Sequence, residues 1–203
     1  MLMLVEELLR REYEEYVRRL NEQKDDKVIT VTELCGCYLK REWARKFPLL
    51  AFRPVLMTGK IVHEGVERLL EELYGAKREV EVKRQVGSFT LVGRIDALGE
   101  DTVWEIKYVR DMKEANPMEH HLMQLKLYMF LSNSKHGQLI YVSPTRVVEF
   151  TVHDPYDERE VHELIVEWHD WKACIPRWHW ECKYCEYRGF CPRCKDGSVE
   201  GAR

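Results

Sequence analysis

The segments Gly93-Arg94-Ile95-Asp96 and Val103-Trp104-Glu105-Ile106-Lys107 decide the fold of this chain. They belong to two runs, residues 89–95 and 103–109, that have the pattern of strands and flank the polar turn of residues 98–102, so they predict a β-hairpin. Because side chains alternate along a strand, Glu105 and Lys107 share one face, while Trp104 and Ile106 face a core on the other. A turn centred between residues 100 and 101 places Asp96 directly across from Glu105.

Asp96 and Glu105 form the first candidate site. Facing residues have Cβ atoms about 4.5–5.5 Å apart, and like charges placed so destabilise a sheet. Mg²⁺ or Mn²⁺ would remove this conflict, because such ions bind carboxylate oxygens and keep open positions for substrate oxygens. Lys107, one pleat further along, adds a fixed positive charge. Two acids and a lysine around a hard cation suit phosphodiester hydrolysis. An exposed hairpin with ordinary surface charges is the alternative interpretation.

The periodicity of apolar residues predicts an α/β fold, in which helices pack on one central mixed β-sheet. Helices are expected over residues 1–20, 58–75 and 118–131, from Thr32 towards Phe47, and around Val161–Trp168. Strands are expected over residues 28–31, 80–86, 89–95, 103–109, 139–142 and 146–152. The apolar stripe of the helix over 58–75 is expected to contain Val62, Val66, Leu69, Leu70 and Leu73.

Three polar residues on the predicted helices are further candidates. His63 lies beside the apolar stripe, where an inward-facing imidazole would reach the same cation; a hydrogen-bonded histidine at the edge of the core is the alternative. Gln124 and Tyr128 are four positions apart on an otherwise apolar helix, so they share one face. They would hold a nucleotide or orient the site, or else form a partly exposed polar stripe.

The chain has seven cysteines, and an odd number argues against a complete disulfide framework and for metal or redox chemistry. Cys35 and Cys37 lie early, whereas Cys182, Cys185, Cys191 and Cys194 crowd together near the end. The last four would form a local Cys₄ zinc site. Their two pairs are closer together in sequence than those of a typical zinc ribbon, which leaves room for other metal assignments.

Composition excludes several classes of protein. The 203 residues are 45% hydrophobic and 33% charged, so a packed core is available and wholesale disorder is excluded. No apolar run reaches the length of a membrane span and no signal peptide is recognisable, so we expect a cytoplasmic protein without membrane partners. The net charge of −3 excludes a uniformly basic surface. Residues 40–53, with Trp43 and Phe47, and residues 182–195 are locally basic and would form a groove for a nucleic-acid strand.

Four short motifs occur in an order that resembles the RecB-like nucleases of the PD-(D/E)XK superfamily. They are Gly59-x-x-x-His63, Gly93-x-x-Asp96, Glu105-x-Lys107 and Gln124-x-x-x-Tyr128. The resemblance implies that Mg²⁺ or Mn²⁺ is bound by His63, Asp96, Glu105 and the backbone carbonyl of Ile106. It also implies that Asp96, Glu105 and Lys107 are catalytic and that Gln124 and Tyr128 contact substrate.

The cysteine pattern resembles the iron–sulfur branch of these nucleases, and residues 32–194 resemble the small CRISPR-associated exonucleases, the fourth Cas type. In this branch one cysteine before the nuclease core and three after it hold a [4Fe–4S] cluster, which implies Cys37, Cys182, Cys185 and Cys191. Four thiolates also suit [2Fe–2S]. Cys35 remains an alternative to Cys37, and Cys194 is an extra cysteine. The resemblance implies a nuclease domain over 1–172, whose segment 1–50 supplies one cluster cysteine, and an iron–sulfur tail over 173–203 packed on it.

Two functions are compatible with these observations. The first is a metal-dependent DNA exonuclease that prefers single-stranded ends and, as the resemblance implies, trims DNA before spacer integration with CRISPR integrase proteins as partners. The second is a non-catalytic nucleic-acid or protein adaptor stapled by a zinc or iron–sulfur site. The intact set of Asp96, Glu105 and Lys107 favours the enzyme, because an adaptor would not need it. A homo-oligomer is compatible with the sequence.

Overall fold

The computed structural model describes residues 3–22, 25–49, 54–110, 116–170 and 176–192. Within these ranges the helices are α1 (Met3–Glu22), α2 (Val31–Leu34), α3 (Tyr38–Lys46), α4 (Pro54–Tyr74), α5 (Glu119–Ser132), α6 (Glu158–His169) and α7 (Glu181–Tyr184). The strands are β1 (Val28–Thr30), β2 (Lys77–Val86), β3 (Phe89–Leu98), β4 (Thr102–Tyr108), β5 (His136–Val142) and β6 (Val147–Val152).

The six strands form one mixed sheet, which confirms the predicted α/β architecture. Strand β2 runs antiparallel to β3 along almost its whole length, so β1 and β4 share the other edge of β3. Strand β1 pairs in parallel with Thr90–Val92, and β4 pairs antiparallel with Ala97 and Leu98. Strand β4 is parallel to β5, and β5 is antiparallel to β6. The edge of β3 therefore has a gap between its two partners.

The hairpin of β3 and β4 has the predicted register. Ala97 lies opposite Trp104 and Leu98 lies opposite Val103, as the predicted register requires, and the ladder ends one residue before Asp96 and Glu105. The expected core face is also confirmed, because the fully buried Ile106 and the partly buried Trp104 pack in one cluster.

Strand β3 bends at Asp96. Ile95 packs in the larger core cluster and Ala97 in the smaller one, although residues two apart in a regular strand share a face. Across from Asp96, Glu79 has a positive φ of 51°, which is uncommon for a residue other than glycine. The bend places the Asp96 side chain in the gap on the edge of β3.

The sheet separates two apolar layers. The larger layer lies under α2, α5 and α6, and the smaller one lies under α4, whose Leu70 packs against Ile106 and Ile140. The energy that holds the helices on the sheet comes from burial of these apolar faces. None of the helices in the described ranges has both the length and the apolar character needed to cross a membrane.

The expected single helix from Thr32 to Phe47 is wrong, because the structure has α2, capped by Thr30, and then α3. The backbone between them binds groups from the C-terminal part of the chain. The indole of Trp178 donates a hydrogen bond to the Cys35 carbonyl (2.7 Å), and that of Trp168 donates to the Gly36 carbonyl (2.8 Å). These distant donors replace the hydrogen bonds of a continuous helix.

The expected apolar stripe of α4 is partly wrong. Leu69 and Leu73 are 54% and 70% exposed, whereas Leu70 and Glu67 are buried. The sheet covers the face of the helix that carries Glu67 and Leu70, with Val66 packed at its margin. Helix α4 ends before Gly75, as predicted, and Gly75 has the positive φ of 66° that favours glycine at this position.

Gly93 leaves room for the ring of Tyr128, and this contact generates a prediction. A Cβ on Gly93 would lie 2.6 Å from Tyr128 Cε1 and 3.1 Å from a methyl carbon of Val31. Because Tyr128 is only 3% exposed, its ring cannot move aside into solvent. We expect Gly93→Ala to lower the free energy of unfolding by about 1–3 kcal/mol, as overpacking does, in urea denaturation followed by circular dichroism.

Gly65→Ala is the matched control, because a Cβ at this position in α4 meets no atom within 4 Å. We expect it to raise the free energy of unfolding by about 0.5–1 kcal/mol, since alanine favours a helix interior over glycine. Equal unfolding energies for Gly93→Ala and the parent protein would contradict the proposed packing.

Candidate active site

Asp96 lies where β3 and β4 separate. The observed ladder between these strands ends at Ala97 and Trp104, and the Asp96 carboxylate then accepts a hydrogen bond from the Ile106 N–H (2.8 Å). The side chain thus takes the place of a backbone acceptor for a buried amide. This contact fixes the position of Asp96 at the gap on β3.

A hydrogen-bonded chain starts at Glu105 and continues onto α5. The ammonium of Lys107 lies 2.5 Å from Glu105 Oε1 and donates to Gln124 Oε1 at 3.0 Å. The Gln124 amide nitrogen donates to the Tyr128 hydroxyl at 3.3 Å. Because ammonium groups only donate hydrogen bonds, Lys107 fixes the orientation of the Gln124 amide.

Burial controls the charges of Glu105 and Lys107. Burial raises the pKa of Glu105, the nearby Asp96 carboxylate raises it further, and Lys107 opposes this shift. Burial alone would lower the pKa of Lys107, but the Glu105 and Asp96 carboxylates outweigh it and the pKa is raised. Lys107 is therefore a cation at neutral pH, held against two acids.

The second oxygen of Glu105, Oε2, is buried and has no hydrogen-bond partner among the described residues. A buried carboxylate oxygen without a donor costs at least about 1–3 kcal/mol, so such atoms in native proteins call for a bound partner. A divalent cation is such a partner, and the surrounding oxygen and imidazole ligands are those that Mg²⁺ and Mn²⁺ accept. The residues present therefore fit the implied metal.

Three side chains among the described residues are close enough together to bind one metal ion: His63, Glu67 and Asp96. One potential ligand atom from each lies within 4.8 Å of the other two, and His63 Nδ1 is 3.5 Å from Asp96 Oδ2. Burial lowers the pKa of His63, which favours the neutral imidazole that binds metals. Burial also raises the pKa of Glu67, to about 7. Glu105 is not in this group, and its Oε1 faces Lys107.

Glu67 is the site residue that sequence reasoning missed. It follows His63 by four positions on α4 and is only 3% exposed. Residues spaced by four share a helix face, so the pattern His63-x-x-x-Glu67 was the available signal. The signal was hidden because Leu69 and Leu73 suggested a different buried face.

A second group of residues lies in the C-terminal part of the described chain. Cys37, Cys182, Cys185 and Cys191 line one cavity of about 130 Å³, together with Leu39, Lys40, Trp43, Trp180, Glu181, Tyr184 and Tyr187. The Glu181 carboxylate accepts hydrogen bonds from the backbone N–H groups of Cys37 (2.9 Å) and Trp178 (3.0 Å). Four thiols around one cavity are the donor set of a Cys₄ iron–sulfur cluster, so the residues fit this cofactor as well.

The sequence of this chain matches a family of known proteins along most of its length. A model of the PD-(D/E)XK nuclease superfamily matches residues 4–192. The chain belongs to the PD-(D/E)XK nuclease superfamily. It is 33% identical, over an alignment of 203 residues, to the CRISPR-associated exonuclease Cas4 of Saccharolobus solfataricus, which covers 94% of this chain and 98% of that protein.

Solved structures agree with this PD-(D/E)XK assignment. The crystal structure of SSO0001 superposes with a TM-score of 0.82 and 33% identity, over 93% of this chain and 96% of the other. The alkaline exonuclease LHK-Exo from Laribacter hongkongensis has a TM-score of 0.54 and 12% identity, over 72% of this chain and 87% of that one. The second likeness concerns the fold alone. PD-(D/E)XK nucleases use divalent metals, in accordance with the donor set around Asp96.

The structure brings the predicted residues of the PD-(D/E)XK site together. Asp96 contacts Ile106 and His63, and Lys107 contacts Glu105 and Gln124. Tyr128 is buried against Gly93, behind Gln124. The metal-binding, catalytic and substrate-binding roles of these residues stay predictions.

Cys35 differs from Cys37 in its surroundings. It packs against the main core and is not among the residues that line the cysteine cavity. Burial raises the pKa of the Cys35 thiol to about 12, so this thiol is protonated at neutral pH. Cys194, and with it the local zinc alternative, lies outside the described residues, as do Cys174 and Trp171.

The prediction that Arg41 contributes to a nucleic-acid groove is wrong, because Arg41 is buried. This residue is only 4% exposed, and its guanidinium lies 3.4 Å from Glu33 and stacks over the ring of Trp168. Arg41 is therefore a buried structural cation and cannot contact a nucleic acid in this conformation. Arg45 and Lys40 form ion pairs with Asp26 and Glu186. The expected contributions of Arg53, Arg193 and Lys195 lie outside the described residues.

Proposed function

We propose that this PD-(D/E)XK nuclease is a metal-dependent DNA exonuclease that hydrolyses phosphodiester bonds at single-stranded ends. The observation that carries the proposal is the buried pair of Glu105 and Lys107 beside Asp96. Burying two acids and a lysine together costs free energy of desolvation, and such groups occur mainly at functional sites. This arrangement therefore favours a catalytic site. Similarity to the CRISPR-associated exonuclease Cas4 supports the same activity.

We assign the cation to His63, Asp96, Glu105 and the backbone carbonyl of Ile106. The carbonyl is supported by strand geometry, because the N–H and C=O of one residue point to the same side of a strand. The N–H of Ile106 points to Asp96, so its carbonyl is directed to the same edge. Glu67, which lies close to His63 and Asp96, completes the candidate ligand set.

When bound, a divalent cation would supply an activated water and neutralise charge on the transferring phosphoryl group. The protein supplies the remaining elements of the reaction. Lys107 adds a fixed positive charge that would stabilise the pentacovalent transition state, and Gln124 keeps its ammonium in place. Gln124 would contact the substrate strand from α5, and Tyr128, buried behind it, would hold the Gln124 side chain in place.

We propose that Cys37, Cys182, Cys185 and Cys191 hold an iron–sulfur cluster, with [4Fe–4S] favoured over [2Fe–2S]. The support is that these four thiols, one from the early part of the chain and three from the late part, line a single cavity. Residues 1–172 would then form the nuclease domain, and residues 173–203 a cluster tail packed on it. The cluster would be structural and would transfer no electrons during cleavage.

The biological role we propose is trimming of DNA before spacer acquisition in CRISPR adaptation, with integrase proteins as partners. The support is the 33% identity to a CRISPR-associated exonuclease over nearly the full length of both chains. A non-catalytic adaptor would not need the buried acid–lysine pair, so no structural observation favours that alternative.

Loss of either catalytic charge should slow cleavage strongly. We expect Asp96→Ala and Lys107→Ala to degrade end-labelled single-stranded DNA at least about a hundredfold more slowly than the parent in Mn²⁺, as loss of one stabilising group does. Glu163→Ala, an exposed change on α6, is the control and should cleave normally. Equal degradation by all four proteins would indicate a contaminating nuclease, and DNA binding without cleavage by the parent would favour the adaptor.

The contribution of Glu67 is tested by metal binding in the absence of DNA. We expect Glu67→Gln to weaken Mn²⁺ binding about tenfold or more in isothermal titration calorimetry, because an amide replaces a charged ligand. Glu64→Gln removes an exposed acid from the same helix and should leave the affinity unchanged. Unchanged affinity in Glu67→Gln would remove Glu67 from the ligand set.

Cys37 and Cys35 form a matched pair for testing the cluster. A cluster bound to Cys37 and Cys182 closes a loop of about 145 residues, so its loss should also reduce stability. In anaerobically purified protein, we expect Cys37→Ser to lose most of its iron and to melt at a lower temperature. Cys35→Ser should keep its iron. Zinc in place of iron in the parent, or iron retained in Cys37→Ser, would overturn the assignment.

A further inference from the structure

Three aromatic rings lie together beside the cysteine cavity, which one of them, Trp43, also lines; we call Trp43, Phe47 and Phe190 the aromatic platform. The rings of Trp43 and Phe47 are stacked with centroids 5.9 Å apart and an angle of 25° between their planes. Phe190 lies 6.5 Å from Trp43 at 37°. Phe47 and Phe190 are 59% and 63% exposed, so broad ring surfaces face solvent.

The platform is held in place by one buried residue. The hydroxyl of Tyr187, which is 2% exposed, donates a hydrogen bond to the Phe47 carbonyl (2.9 Å). The backbone carbonyl of the same Tyr187 accepts from the Phe190 N–H (3.0 Å). The two exposed rings are thus carried by backbone segments that a single core residue fixes. Such preorganisation reduces the entropy lost when a ligand binds to the rings.

The two chain segments that carry the platform also carry exposed cations. Lys46 precedes Phe47 directly, Arg188 lies two residues before Phe190, and Lys183 lies earlier in the same segment; all three are exposed. The structure gives none of these three cations an acidic partner among the residues that it describes. The acids of the same segments are already engaged, Glu42 with Arg41 and Glu186 with Lys40. The two segments therefore present exposed aromatic rings together with exposed cations.

We propose that the aromatic platform stacks unpaired bases of single-stranded DNA while the neighbouring cations bind its phosphates. This site lies outside the metal site, and its proposal rests on the proposed DNA exonuclease function. Aromatic rings interleaved with cations are the general basis of single-strand binding without sequence preference. Bases inside a duplex cannot stack on the platform, because both of their faces are covered by neighbouring base pairs. The platform thus selects strands with unpaired ends.

Binding in EDTA tests the platform without cleavage. We expect Phe47→Ala/Phe190→Ala, in the full chain, to bind fluorescein-labelled oligothymidylate at least about tenfold more weakly than the parent, with little change for a blunt hairpin duplex. Ile61→Ala/Leu73→Ala, which removes two exposed apolar side chains from α4, is the matched control and should bind like the parent. In Mn²⁺, the platform variant should show a raised KM for single-stranded DNA at unchanged kcat.

Conservative replacements distinguish base stacking from general apolar contact. Phe47→Leu and Phe190→Leu keep an apolar side chain and should fold even if the double alanine variant does not. Each should bind oligothymidylate more weakly than the parent, whereas Phe47→Trp should bind at least as tightly. DNA binding should also quench tryptophan fluorescence, because bases would stack next to Trp43. Leucine variants that bind like the parent would overturn the proposal, because stacking requires a ring.

Two further outcomes separate this proposal from its alternatives. A change of oligomeric state in Phe47→Ala/Phe190→Ala, measured by light scattering, with unchanged DNA affinity would show that the platform is a contact between copies of the chain. Conversely, a parent protein that binds single strands through the platform but cleaves none in Mn²⁺ would overturn the proposed enzyme and support the platform.

Discussion

The buried contact between Glu105 and Lys107 is the interaction on which the site depends. Removing two charges from water costs several kcal/mol for each ion. The attraction between the charges offsets this cost only when further hydrogen bonds satisfy their remaining donors and acceptors. Lys107 obtains such a bond from Gln124, but Glu105 Oε2 obtains none among the described residues. The protein therefore holds a partly satisfied polar network at its centre, and a bound cation is the ligand that would complete it.

The shape of β3 makes this network accessible. Because β1 and β4 occupy different parts of one edge, Asp96 lies in the gap between them and its carboxylate completes the bonding of the Ile106 amide. The bend at Asp96 also faces α4, which carries His63 and Glu67. A regular, fully paired β3 would have no such gap. The irregularity of the sheet is thus the feature that lets groups from two strands and a helix meet.

Much of this arrangement could be predicted from local sequence. Alternation along β4 predicted the buried side of Ile106, and the turn position predicted the register of Ala97 and Trp104, because both depend on residues close in the chain. Glu67 and the break between α2 and α3 were missed because each depends on distant partners. The helix stops where the indoles of Trp168 and Trp178, more than 130 residues away, bind its backbone. Likewise, only the position of the sheet decides which face of α4 is buried.

These distant contacts also explain how the cysteines meet. The hydrogen bonds from Trp178 to Cys35 and from Cys37 to Glu181 join the early and late segments through protein atoms alone. The same segments carry thiols to one cavity, so the main-chain turn at Gly36 both ends a helix and directs Cys37 towards the late cysteines. A cofactor bound there would meet ligands that are already close to one another. The cofactor's binding energy would then stabilise a contact that the early and late segments already make, and would not be spent on bringing them together.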